Sequence, residues 1–234
     1  MKKFELTNEF ITNMFGTKLF RIRALVEFGD VEAGELGGYV EKESNLGHDD
    51  NAWVYDNAWV YGDAQVSGDA RVYDNAWVYD NAWVYGDAQV SGDALVYGNA
   101  RVYDNAWVYG NAWVYGNALV CGNALVYDNA WVYGDAQVSG GAWVYGDARV
   151  CGNGDYAYAH GFGSVNRTTT FFRLKDGGVG VRCGCFYGTL AQFRDKIRET
   201  HGESAIAEEY LDLAALMEKR FRRTGNEQKT EEES

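Results

Sequence analysis

Residues 51–68 read NAWVYDNAWVYGDAQVSG, three six-residue units in which an alanine and a valine recur two positions apart. The unit, [ND]-A-[WQRL]-V-[YSC]-[GD], continues from Asn51 to Gly152, seventeen times without interruption, and only Gly141 departs from it at the first position. Ala and Val alternate with a large residue on either side, as in Ala58-Trp59-Val60-Tyr61, and a period of two marks a short strand with one buried face. Ala and Val therefore point in, and Trp and Tyr point out. The pair that follows, Gly or Asp and then Asp or Asn, tolerates the left-handed backbone region and turns a corner at little cost. Strands this short have no stability alone, so each must stack on the next turn of chain, its backbone groups pairing with the coils above and below.

A second period is superimposed. Residues 53–76 and 77–100 differ only at Arg71/Leu95 and Asp74/Gly98, a duplication in blocks of 24. A column of Val with a small residue two positions earlier, repeating every six, resembles the left-handed parallel β-helix of the hexapeptide-repeat superfamily. That resemblance implies a mainly β fold, a β-solenoid of triangular coils with three hexapeptides each; the left hand comes from the resemblance, because the general rule for parallel crossovers favours the opposite one. Seventeen units then make nearly six coils, a prism about 27 Å long at a spacing of about 4.8 Å. Blocks of 24 are out of phase with an 18-residue coil, so identical residues do not all fall on one face.

The repeat is bracketed. Residues 1–50 have alternating stretches and Gly-rich turns but no hexapeptide phase, and read as a β cap that hides the first coil's open edge. Residues 51–153 are the solenoid. Residues 154–223 read as a second cap: a hairpin turning at Asp176-Gly177-Gly178, then helices over 190–200 and 205–222 with Thr189 and Ser204 as N-caps. Ile206, Tyr210, Leu213, Leu216 and Met217 stand at helical spacing in the second helix, and residues 224–234 read as a disordered polar tail. LGGYVEKESNL (36–46) and the GFGSVN and CGCFYGT segments together resemble a group of hexapeptide-repeat proteins of bacteria and their phages. The likeness implies a phage or mobile-element setting and carries no activity with it.

Composition excludes several classes. No apolar run reaches the length of a membrane span, and MKKFELTNEF lacks the core of a secretory signal, so a cytoplasmic protein is expected. Four cysteines (Cys121, Cys151, Cys183, Cys185) without regular spacing are too few for a disulfide framework. A net charge of -13 argues against direct binding to nucleic acid or an anionic membrane and favours a basic partner.

Catalysis is not expected, nor any cofactor or metal. The acyltransferases of this fold need a histidine general base on the solenoid wall, and its carbonic anhydrases need three around a metal, yet the three histidines (His48, His160, His201) all lie outside the repeats. Cys183 and Cys185 form a C-x-C on an expected strand, which puts both thiols on one face, but two ligands do not make a metal site.

The surface carries the information. With 18-residue coils, one flat face presents Trp59, Trp77, Trp113 and Trp131 beside Tyr61, Tyr79, Tyr97, Tyr115 and Tyr133. Aromatic area of that extent marks an interface, here expected to join a homodimer. One corner column holds Asp56, Asp74, Asp93, Asp128 and Asp147. Between residues 49 and 153 there are 13 Asp, no Glu, no Lys and three Arg, a net -10. Over the prism that is one charge per about 2.7 Å, against about 1.7 Å for duplex DNA. The expectation is a non-enzymatic protein-binding module, a partly DNA-like acidic rod inhibiting a nucleic-acid-handling host defence protein. The rival expectations are an acyltransferase-type enzyme and a structural spacer.

Overall fold

Within each hexapeptide the Ala and Val side chains are fully buried along the whole repeat, and the strand shortens to the two residues that include the valine. A two-residue strand survives because its neighbours in space lie one coil away. Trp59 pairs in parallel with Trp77 and Val60 with Val78, and every later rung repeats that 18-residue offset, so three hexapeptides close one coil. Backbone bonds run up the prism at strands and corners alike, as in Trp59 N–H to Ala76 O at 2.9 Å and Asn57 N–H to Asp74 O at 3.0 Å. The computed structural model describes residues 2–232, with side chains described through Thr224.

The seventeen short strands are β4–β20, running from Trp53–Val54 to Arg149–Val150, and they form three parallel sheets. One face carries Trp53, Arg71, Gln89, Trp107, Leu125 and Trp143; a second carries Gln65, Trp83, Arg101, Leu119 and Gln137. The third, the aromatic face, begins at Trp59. Each corner needs a positive φ, supplied by glycine at most coils and by Asp56, Asp74, Asp80, Asp104 and Asp128 at the rest, with φ of 51–59°. At Gly68 the fit is close: a Cβ there would lie 2.8 Å from the backbone nitrogen of Gly86 in the coil above.

At the N-terminal end β1 (Phe4–Thr12), β2 (Lys18–Ala24) and β3 (Leu36–Val40) form an antiparallel extension of the aromatic face, giving nine strands in one sheet. The parallel stack begins in this cap rather than at residue 51. Tyr39 pairs with Trp59 and Leu46 with Val66, an offset of 20 residues, two more than a regular coil, and that surplus hides the hexapeptide phase. The open rung is closed by side chains. Lys3 Nζ is buried and donates to the carbonyls of Asp50 and Ala52, both at 2.8 Å; Asn45 Nδ2 donates to those of Gly62 and Ala64 at 3.1 and 2.8 Å. Burial lowers the Lys3 pKa.

At the other end the expected hairpin is part of a four-stranded antiparallel sheet, β21 (Tyr156–Phe162), β22 (Arg167–Arg173), β23 (Val179–Cys183) and β24 (Phe186–Thr189), with the turn at 174–178 joining β22 to β23. Helix α1 spans Leu190–His201, and the Thr189 hydroxyl accepts the Gln192 N–H as its N-cap. Helix α2 spans Ala205–Glu232, and Ser204 Oγ accepts the Ala207 N–H at 3.3 Å. The α2 face buried against Phe171, Val181, Phe193 and Ile197 comprises Ala207, Tyr210, Leu213, Ala214, Met217 and Phe221; Leu216 points to solvent. Thr224, expected to begin the tail, belongs to the cap: it is buried and accepts from Arg173 Nη2 at 3.1 Å. The last two residues of that expected tail, 233 and 234, lie outside the described residues.

The cap closes the last coil through polar side chains. Thr170 Oγ1 accepts the Trp143 N–H at 3.1 Å, and Asn153 Oδ1 accepts the Gln137 N–H at 2.9 Å. Asp155, 1% exposed, takes the Cys151 and Gly152 N–H groups on one oxygen, while Arg173 Nε donates to the other at 3.4 Å. The Arg173 guanidinium also donates to Phe221 O, tying α2 to the rod end. No helix among the described residues is long and apolar enough to cross a membrane.

Candidate interaction surface

The aromatic face contains all nine residues expected there. Trp59, Trp77, Trp113 and Trp131 share one column with Leu95 and Arg149, and Tyr61, Tyr79, Tyr97, Tyr115 and Tyr133 form a second, two positions along each strand. The rings are spent largely on each other. Trp59 stacks on Trp77 with centroids 4.5 Å apart and Trp113 on Trp131 at 4.7 Å; the five tyrosines form one unbroken stack at 4.8–5.1 Å, nearly parallel. Such pairs contribute about 0.5–1.5 kcal/mol each beyond the area they bury. The face is therefore half-buried within one chain, and what it offers to solvent is ring edges. Burial pushes the tyrosine hydroxyls up, Tyr61 to about 12 and Tyr79 further.

The most exposed tryptophans lie elsewhere: Trp83 and Trp107, 42% and 44% exposed, sit on the two other faces. Both occupy the same slot in the hexapeptide as Trp77. Their neighbours differ, since Trp77 lies between Trp59 and Leu95, Trp83 between Gln65 and Arg101, and Trp107 between Gln89 and Leu125. Aromatic columns also end in arginine, a feature the sequence reading missed. Arg149 lies 4.1 Å from the Trp131 ring, Arg101 5.2 Å from Trp83 and Arg182 4.7 Å from Trp143. A visible signal was present for two of them, because Arg149 and Arg101 replace tryptophan or leucine at the third position of the repeat.

The corner between the Trp53 face and the aromatic face carries Asp56, Asp74, Asp93, Asp128 and Asp147, one in each of five coils, all exposed. The coil between Asp93 and Asp128 has Gly110 and Asn111 instead. Asp56, Asp74 and Asp128 hold the left-handed position; Asp93 and Asp147 follow a glycine. Part of their use is structural. Asp74 Oδ2 accepts the Gly92 N–H of the next coil at 3.0 Å, and Asp93 Oδ1 accepts from Asn75 Nδ2 at 3.2 Å. Asn at the same positions has an oxygen for either bond. None of the five makes an ion pair among the described residues, in contrast to Asp63 on another corner, whose carboxyl is held below its usual range by Lys42 Nζ at 2.6 Å. The column is thus a row of uncompensated charges at a spacing near 4.8 Å per coil along a rigid edge.

Each of the three histidines makes its own structural contact, and His201 lines a cleft with Cys183, Cys185, Lys196 and Arg167. His48 Nδ1 accepts the Lys3 N–H and its ring stacks on Phe4; His160 Nδ1 lies 3.0 Å from Thr168 Oγ1; His201 stacks on Tyr210. The expected single strand carrying Cys183 and Cys185 is not formed, although both residues line one cleft. Cys183 ends β23, Gly184 turns the chain with φ of 59°, and Cys185 lies exposed in the turn before β24. Cys183 Sγ instead accepts from Thr169 Oγ1. No group of three or more His, Cys, Asp or Glu among the described residues is arranged to hold a metal ion.

Comparison with known proteins bears on the rod alone. No curated protein matches the chain. A family model described as the YdcK beta solenoid repeat matches residues 64–80, 70–86, 88–102, 96–110, 100–116 and 118–134, so the coils, and neither cap, are similar to that repeat.

Proposed function

We propose that the chain is a non-enzymatic protein-binding rod that engages a basic partner along its acidic corner. The observation that carries this reading is the exposed column of Asp56, Asp74, Asp93, Asp128 and Asp147, five carboxylates without an ion pair among the described residues. A rigid row of one sign attracts a basic groove and discriminates by spacing. The proposal sets the protein in the cytosol, without cofactor, and takes a nucleic-acid-handling defence protein of a phage's host as the kind of partner whose basic groove such a rod imitates DNA to fill. The bacterial and phage likeness of the cap segments and the 18-residue coil of the hexapeptide-repeat superfamily support that setting.

A homodimer through the aromatic face forms part of the same proposal. It is supported by ring edges that remain exposed along a sheet of nine strands, a flat wall with little charge at its centre. Replacing the five aspartates by asparagine keeps residues suited to the same corner backbone and removes five charges. Partner binding by that variant should fall markedly, and raised salt should weaken wild-type binding in the same direction. Full binding by the variant with no salt dependence in the wild type would overturn the reading. A thermal shift produced by acyl-CoA compounds would favour the enzyme alternative, and a rod that retains nothing from host lysate would favour a spacer.

A further inference from the structure

The junction between the last coil and the C-terminal cap contains a cleft of about 420 Å³ lined by Trp143, Val165, Arg167, Thr168, Arg182 and Gly184. Its charge is opposite to that of the chain as a whole. Two arginines line it and no carboxylate does, in a protein with 34 acidic and 21 basic residues. Four other arginines of this cap are neutralised, Arg173 by Asp155, Arg194 and Arg222 by Glu218, and Arg198 by Asp195, while Arg220 donates to the Asn153 carbonyl. Neither Arg167 nor Arg182 makes an ion pair among the described residues. The Arg182 guanidinium lies over the Trp143 and Tyr145 rings at 4.7 and 5.3 Å, and its Nε is buried without a hydrogen-bond partner. Arg167 rests where Gly184 leaves room, since a Cβ at 184 would collide with its guanidinium. Thr168 adds a hydroxyl, and Trp143 and the exposed Val165 add an apolar wall.

Two guanidinium groups on one cleft repel each other, and an oxyanion between them converts that repulsion into charge-assisted hydrogen bonds. The volume falls within the roughly 300–1,000 Å³ of small-molecule sites. We infer that this cleft binds a small molecule in which an oxyanion, such as phosphate, sulfonate or carboxylate, is joined to a planar apolar group. The oxyanion meets Arg167 and Arg182, and the planar group lies along Trp143 and Val165. None of the five corner aspartates lines the cleft.

The probe is 8-anilinonaphthalene-1-sulfonate, which joins a sulfonate to apolar rings, titrated by fluorescence against the full chain. The wild type should bind it at one saturable site, and Arg167→Ala should weaken binding at least about tenfold, with Arg167→Lys intermediate. Arg167 is an exposed side chain, so far-ultraviolet circular dichroism should show both variants folded. Leu216→Ser, at an exposed apolar residue on α2 outside the cleft, should leave the titration unchanged, and the uncharged N-phenyl-1-naphthylamine should bind far more weakly than the sulfonate. Equal binding by Arg167→Ala, equal binding of the uncharged analogue, loss of binding in Leu216→Ser, or no saturable binding by the wild type would each overturn the assignment.

Discussion

The rod and the C-terminal cap are both closed off from water, but by opposite means. In the rod each valine pairs with the valine 18 residues on, and backbone groups of strands and corners pair with the next coil in the same pattern throughout. In the cap one buried carboxylate, Asp155, holds two backbone N–H groups and Arg173, and Arg173 in turn holds α2. Repetition spreads stability over many equivalent contacts; termination concentrates it in a few unlike ones.

That contrast is broken most severely at its concentrated end. Asp155→Ala removes the carboxylate that pairs with Arg173 and that accepts the Cys151 and Gly152 N–H groups, and should cost about 3–5 kcal/mol. Val96→Ala, in the middle of the rod, removes buried methyl groups from one layer and should cost about 1–3 kcal/mol, because the coils on either side still pair with each other's neighbours. Denaturant unfolding of both variants checks the order. A larger loss for Val96→Ala would mean that the rod, not its end, sets the stability of the whole.

The aromatic face gives the next effect. Charged replacements at Trp77 and Trp113 should convert the proposed dimer to a monomer, read by light scattering at micromolar concentration. A wild type that is already monomeric there would leave the stacked columns as intrachain ladders alone. A smaller effect is expected from alkali. Burial raises the tyrosine pKa values above the unfolded value of about 10, to about 12 at Tyr61 and Tyr145. The stability this represents is fully present below pH about 10 and is lost as pH rises through about 12. The denaturation midpoint should therefore fall above pH 10, with tyrosinate absorbance in the folded state lagging behind that of the unfolded chain. Coincident titration of the two states would contradict it.

The repeat made the rod legible because each hexapeptide spells its own strand, corner and inward face, and the 18-residue coil then assigns every residue to a column. Trp59, Trp77, Trp113 and Trp131 fall together for that reason. Exposure was not legible from the same unit, since Trp77 and Trp83 have the same local sequence and differ only in what lies one coil above and below. The caps were harder still. Nothing in the pattern marks Lys3 as the group that closes the first rung, or Asp155 as the one that closes the last, because each contact is used once and lies outside the repeat. The C-x-C differs from expectation through Gly184: a positive φ at one residue turns the expected strand into a hairpin, and Cys185 lies in its turn.

The acidic corner should affect stability least and binding most. Two variants lose five charges each: one carries Asn at Asp56, Asp74, Asp93, Asp128 and Asp147, the other Asn at Asp69, Asp80, Asp87, Asp104 and Asp135 on the two remaining corners. Both should unfold within about 1 kcal/mol of the wild type, since Asn suits the same corner conformation. The decisive measurement is retention of host proteins by the three rods at physiological salt. Binding through one edge predicts that the wild type and the second variant retain the same basic protein and the first variant loses it. Equal loss by both variants, or equal retention by all three, would contradict the assignment of function to the Asp56–Asp147 corner.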